Sequence, residues 1–172
     1  MKIILASARL FFREFTTDDA PLLLLLNSDP EVVKYVHELP LTDEATALGT
    51  LTKNILPQYA QNGFGRWAVH LKENNAFIGW CGLKFRPERD EIDLGYRFIR
   101  KYWGQGYASE AAKACIAFGF AQYHIPLLTA MAHIENTASL KVIEKCGFQF
   151  RQFEEVDSCP VKVYQLHNST LS

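Results

Sequence analysis

The chain has 172 residues, 48% of them apolar and 22% charged, with a formal net charge of -1. This is the length and balance of one ordinary globular domain that buries its own core. The near-neutral charge lacks the basic surplus of a nucleic-acid binder, so no nucleic-acid partner is expected.

The first residues, Met1 to Arg9, faintly resemble a signal peptide, but the apolar run is too short and Arg9 interrupts it. The run Leu22 to Leu26 falls far below the length that crosses a bilayer, so no membrane span is expected. Arg9 to Phe15 reads as a strand with Leu10, Phe12 and Glu14 on one side. Thr16 to Asp19 supplies N-cap chemistry, and Pro21 suits a first helical turn. The helix reaches Leu26, a short one follows over Glu31 to Val36, and another runs from Thr42 to about Tyr59, where Gly63 and Gly65 break it.

Arg66 to Leu71 and Ala76 to Phe85 form an expected hairpin, with Glu91 to Ile99 as the next strand. The period then changes. Tyr107 to Tyr123 is a helix with Ala108, Ala111, Ala112, Cys115 and Phe118 near one face. A strand over Leu127 to His133, a helix over Thr137 to Cys146 and strands over Phe148 to Glu154 and Val161 to His167 complete the chain. Hairpins followed by a strand–helix–strand crossover predict a mixed, mostly antiparallel sheet of about seven strands, flanked by helices, in a single α/β (α+β) domain over residues 1–172.

Cys81, Cys115, Cys146 and Cys159 form no C-x-x-C pair, and the histidines form no H-x-x-x-H pattern, so no metal site is expected. Reduced, packed thiols suit a cytoplasmic protein. Cys146 lacks a neighbouring His and reads as structural rather than nucleophilic.

The segment Trp103-Gly104-Gln105-Gly106-Tyr107-Ala108 lies between a strand and a helix. Glycines there let the backbone approach a ligand, and the free N–H groups and positive dipole end of the helix attract a diphosphate. By itself the pattern also suits a bare turn. It is not a dinucleotide fingerprint, because Ser109 holds the third Gly position, and the phosphate-loop Gly-Lys-Ser/Thr is absent.

Several spaced blocks carry a more specific signal: R-L-F-F-R-E-F-T-T-D-D-A, S-D-P-E-V, G-R-W-A-V-H-L-K, F-I-G-W-C-G-L, D-L-G-Y-R-F, Y-W-G-Q-G-Y-A-S-E-A and N-T-A-S-L-K-V-I-E-K-C-G-F. In this order they resemble the GNAT (GCN5-related N-acetyltransferase) superfamily, and within it the RimJ/RimL-type branch of ribosomal-protein N-terminal acetyltransferases. The resemblance implies acetyl-CoA as cofactor, with its pyrophosphate on backbone N–H groups of Gly104, Gln105, Gly106, Tyr107 and Ala108. Trp103 stands where the superfamily usually has Gln or Arg. The strand end Phe98-Ile99-Arg100 would pair with the pantetheine arm, in a slot opened by a bulge and a splay from the next strand. The N–H near Phe98 would polarise the thioester carbonyl, and Arg100 would be a phosphate contact or a solvated arginine.

Acyl transfer to an amine needs a neutral amine and a proton for the departing thiolate. Asp93, just before L-G-Y, and Glu91, on the same strand face, are the candidate bases, with two solvated carboxylates as the plain alternative. Asn136 and Ser139 begin a helix, where an Asn caps well. The resemblance adds a pantetheine contact for Asn136 and a proton-donor role for Ser139. His133 reads as packed or solvated rather than as a base. Tyr96, Trp67, Trp80 and Phe85 read as core, with one or two lining an acceptor cleft.

The resemblance implies an N-acetyltransferase working by direct transfer in a ternary complex, as monomer or homodimer, on a protein N-terminus or a small-molecule amine. A non-catalytic acyl-CoA sensor or scaffold would carry the same cofactor motifs. His37 to Pro40 and Asp157 to Pro160 are the segments expected to frame the acceptor.

Overall fold

The computed structural model describes residues 1–171. Eight strands form one sheet: β1 (Ile3–Ala6), β2 (Leu10–Arg13), β3 (Arg66–Leu71), β4 (Phe77–Arg86), β5 (Glu91–Phe98), β6 (Leu127–His133), β7 (Gln149–Val156) and β8 (Cys159–His167). Their order across the sheet is β1-β2-β3-β4-β5-β6-β8-β7. Every neighbouring pair is antiparallel except β5 and β6.

The eighth strand is β1, built from the residues that resembled a leader. It pairs with β2 from Ile3↔Arg13 to Ala6↔Phe11. Four residues are too few to display a period, so only the partner strand reveals it.

The helices are α1 (Ala20–Asn27), α2 (Pro30–Val33), α3 (Glu44–Thr50), α4 (Leu56–Asn62), α5 (Tyr107–Tyr123) and α6 (Thr137–Lys145). The single helix expected from Thr42 to Tyr59 is interrupted by a π turn at Leu51–Ile55, where the Leu56 N–H reaches back to the Leu51 carbonyl. Pro57 cannot donate an amide hydrogen, so the regular ladder cannot run through this turn. Gly63, at φ 76°, then ends α4.

Strand alternation sends side chains to two different layers. Leu83, Leu94 and Phe98 join Ala111, Ala112 and Cys115 of α5 and Leu140 and Ile143 of α6 in the larger core. On the opposite face, Ala68 and Phe77 pack with Leu23 and Leu26 of α1, Ala47 of α3 and Leu51, with Trp80 and Ile99 at the margin. The site lies where this second layer ends and leaves the middle of the sheet uncovered by helix.

Candidate active site

The β5–β6 pair is where the sheet opens. β4 and β5 are in register from Arg86↔Glu91 to Gly79↔Phe98, and β6 and β8 from Leu127↔His167 to His133↔Val161. Between them, β5 and β6 pair only at Ile92↔Leu128 and Asp93↔Thr129. Beyond Asp93 the two strands diverge, leaving a V-shaped slot edged by β5 residues 94–98. The expected bulge in β5 is absent, because its register with β4 never shifts. The Ile99 N–H donates to the Ile78 carbonyl at 2.9 Å. Alternation therefore turns the neighbouring Phe98 N–H away from β4 and towards the slot.

The glycine turn closes the wide end of the slot. A short 3₁₀ turn (Arg100–Tyr102) leads into Trp103, whose indole N–H donates to the Phe98 carbonyl at 2.8 Å. The Trp103 side chain thus pins the end of β5, a role the backbone motif alone did not reveal. Gly104 and Gly106 have φ values of 74° and 80°, a region that disfavours any side chain. No heavy atom lies within 4 Å of where a Cβ on Gly104 would stand, so the space above the turn is open. Gly106 caps the 17-residue α5, whose first N–H groups face that space.

A clamp from the far edge of the sheet holds the turn. The Arg9 guanidinium donates to Glu110 Oε2 at 2.7 Å and to the Gln105 carbonyl at 3.0 Å, and lies 4.3 Å from the Tyr107 ring centre. Glu110 also accepts from Ser7 and the Arg9 backbone, and these donors outweigh its burial to hold its carboxyl below the ordinary range. The acidic side chain in the first turn of α5 is therefore neutralised locally, and the helix start keeps its attraction for an anion. Arg100 instead pairs with Asp29 at 3.0 Å. Open backbone donors on a positive helix end suit a diphosphate, and the unpaired strand edge suits an extended amide-bearing arm, so the chain fits coenzyme A.

Inside the slot, Tyr96 and Ser139 meet. The Tyr96 hydroxyl lies 2.9 Å from Ser139 Oγ and 3.0 Å from the Ser139 carbonyl. Burial pushes the Tyr96 hydroxyl well above its usual range, so it keeps its proton. Asn136 caps α6, its Oδ1 accepting from the Ser139 N–H at 3.2 Å. From sequence, Tyr96 is one of four aromatics expected mostly in the core, with one or two lining the acceptor cleft. Its alternation with the glycine before it was the only local sign of a different role.

The two candidate bases are both locked in ion pairs. Asp93 is 2% exposed and accepts from Arg66 at 2.8 Å and Arg86 at 2.5 Å. Burial alone would raise its carboxyl, but the Arg66 and Arg86 guanidiniums win and hold it below the ordinary range. Glu91 pairs with Arg89 at 3.0 Å and Arg151 at 2.7 Å, and these likewise outweigh burial. Neither carboxylate is free to take a proton, so the geometry does not point to the base role expected of them.

The face of β4 and β5 opposite α5 is lined with cations. Cross-strand pairs Trp80↔Arg97, Gly82↔Gly95 and Lys84↔Asp93 succeed one another along it. The Arg66 guanidinium lies flat over Gly95, where an added Cβ would stand 2.6 Å from Nη2. Trp80 lies between Arg66 and Arg97, at 5.2 and 5.5 Å from its ring centre. Arg97 reaches Asn27 at 2.8 Å and Glu38 at 3.0 Å, tying the His37 to Pro40 segment over the sheet. His133, at the end of β6, packs on Tyr35 with ring centres 5.4 Å apart and accepts from the Glu135 N–H.

Cys81, Cys115 and Cys159 are buried and Cys146 half-buried. Burial raises the Cys146 thiol above its usual value, the reverse of an activated nucleophile. No helix of the described residues is long and apolar enough to cross a membrane.

A model of the acetyltransferase (GNAT) domain matches residues 9–149. The chain is 32% identical over 165 residues to an uncharacterized N-acetyltransferase, p20, of Bacillus licheniformis, covering 93% of this chain and 92% of that protein. The crystal structure of a GNAT-family acetyltransferase from Bacillus anthracis superposes with a TM-score of 0.81 at 25% identity, covering 97% of this chain and 99% of the other. RimL, a ribosomal α-N-protein acetyltransferase solved in complex with coenzyme A, shares the fold, with a TM-score of 0.79 at 18% identity over 96% and 98% of the two chains.

Proposed function

We propose an acceptor and a proton route for a chain that belongs to the GNAT family of acetyl-CoA-dependent acetyltransferases: it acetylates a primary amine directly, in a ternary complex. The observation that carries the reading is the early end of the β5–β6 ladder after Asp93↔Thr129, with Tyr96 and Ser139 inside the opening and the Gly104–Gly106 turn at its mouth.

When bound, acetyl-CoA supplies an activated acetyl group on a thioester. The chain's part is to hold it and to manage protons. Backbone donors at Gly104 to Ala108 hold the diphosphate, and Asn136 supports the pantetheine arm. The Phe98 N–H, with its carbonyl fixed by Trp103, is a rigid donor for the thioester oxygen. Ser139 Oγ, hydrogen-bonded to the Tyr96 hydroxyl that burial keeps protonated, delivers a proton to the departing sulfur, and the proton the nitrogen loses on acylation returns the pair to its starting state.

The amine needs little help to lose its proton. An α-amine has a pKa of about 8, and Arg66, Lys84, Arg86 and Arg97 on the approach face disfavour a further positive charge there. Asp93 then serves as the counter-ion that keeps two of these cations in place. Similarity to RimL supports a place near the RimJ/RimL-type branch.

The test is release of free thiol from acetyl-CoA across a panel of amines and short peptides, with mass detection of the acetylated product. Gly106→Trp should abolish both turnover and coenzyme A binding. Turnover that survives this substitution would remove the cofactor assignment.

A further inference from the structure

The cation count on the β4–β5 face exceeds what the fold needs. Arg66, Lys84 and Arg86 surround one buried carboxylate, Asp93, whose two oxygens are taken by the two arginines. Lys84 stands directly opposite Asp93 in the ladder. It is half-buried, yet among the described residues it makes no hydrogen bond or ion pair. Of the remaining acids nearby, Glu91, opposite Arg86 in the ladder, is taken by Arg89 and Arg151, and Glu88 and Asp157 face Arg86 from the rim, Glu88 at 3.7 Å with its side chain 63% exposed. Burial, together with Arg86 and Arg66, draws the Lys84 amine below its ordinary range. An ammonium held beside two guanidiniums without an acid of its own is costly unless something anionic arrives.

Its position says what that anion is attached to. Asp93 lies at the closed end of the slot with Lys84 beside it on β4, on the same face as Gly95 and two residues before it, roughly 7 Å along the strand. The flexible four-carbon arm of a lysine spans most of that distance. An anion held there therefore sits within a few ångströms of an amine presented to the slot. Resting on the amine-acetylation reading above, we infer that the acceptor is an α-amino acid, whose free carboxylate is received by Lys84 with Arg66 and Arg86 behind it. The same cations repel the protonated amine, so the carboxylate binds and the neutral amine turns towards the thioester. A polyamine, with no anionic group, is a poor fit for this floor.

The experiment compares the common L-amino acids with their C-terminal amides, and with spermidine, in the thiol-release assay. An amide's amine is less basic and more deprotonated at neutral pH, so intrinsic reactivity favours the amide. A preference for the acid must come from the protein. Kinetics are repeated on Lys84→Met, which keeps the length without the charge, and Lys84→Arg, which keeps the charge. The acid is expected to exceed its amide in kcat/KM. Lys84→Met should raise KM for the acid about 10- to 100-fold, the scale of a hydrogen bond to an ionised group. Lys84→Arg should restore most of it, and KM for acetyl-CoA should not move. If amides or spermidine are acetylated as well as the acids, and Lys84→Met changes no acceptor's KM, the anion site is refuted while amine acetylation stands. If no amine is turned over by a protein that binds coenzyme A, amine acetylation fails. Calorimetric titration of the coenzyme A-loaded protein with the same acid and amide pairs then decides the site. Acid binding lost in Lys84→Met upholds it, and equal binding of acid and amide overturns it.

Discussion

Replacing Asp93 with Asn separates a structural counter-ion from a general base. The substitution keeps the shape and one acceptor oxygen but removes the charge that balances Arg66 at 2.8 Å and Arg86 at 2.5 Å. Asp93 is 2% exposed, so water cannot replace it. Breaking a buried pair by deleting one partner costs about 3–5 kcal/mol. For a domain of this size each kcal/mol moves the melting midpoint about 2–4 °C, so a fall of roughly 6–20 °C is expected.

The pH dependence has a definite sign. The arginines hold the Asp93 carboxyl below the ordinary value of 3.8, so its stabilisation is complete above that value and disappears as pH falls through the lower folded-state pKa. Asp93→Asn should be less stable than the parent at neutral pH, and the gap should close in acid. Thermal and urea unfolding, followed by circular dichroism from about pH 7 to about pH 3, reads both effects. A variant that unfolds within about 1 kcal/mol of the parent, yet loses turnover together with the acidic limb of its pH–rate profile, would refute the counter-ion assignment and restore Asp93 as a base.

Removing either hydroxyl of the slot, by Ser139→Ala or Tyr96→Phe, should lower kcat about 100-fold with little change in the acetyl-CoA KM. Because the two act as one relay, the double variant should fall no further than the worse single one, and additive losses in steady-state kinetics would break the relay. Trp103→Phe removes one hydrogen bond to the Phe98 carbonyl of about 1 kcal/mol, so coenzyme A should bind about fivefold more weakly by calorimetry. Asn136→Ala removes the α6 cap and should destabilise the fold by about 1 kcal/mol in urea titration, with a larger relative loss in cofactor affinity if the side chain also touches pantetheine.

Local chemistry made several parts of this molecule readable from its residues. The bounds of β3, β6 and α5 were legible, the strands as short apolar runs ended by turn residues and α5 from the small apolar residues at helical spacing along one face. The Gly104–Gly106 turn was legible for a similar reason, since positive φ is a demand on two residues and not on the fold. The cap at Asn136 likewise depends only on residues three apart.

What remained hidden depends on partners distant in sequence. β1 exists because β2 completes its hydrogen bonds, and the slot exists because β5 and β6 stop pairing after two residues, a divergence that neither strand encodes alone. Asp93 looked like a free carboxylate until β3 and the far end of β4 delivered Arg66 and Arg86 to it. Tyr96 looked like a core or cleft-lining aromatic until α6 brought Ser139 across 43 residues of chain. Charge balance and proton relays are sums over neighbours in space. The sequence names the groups, but only the folded sheet decides which of them are satisfied and which, like Lys84, are left facing the acceptor.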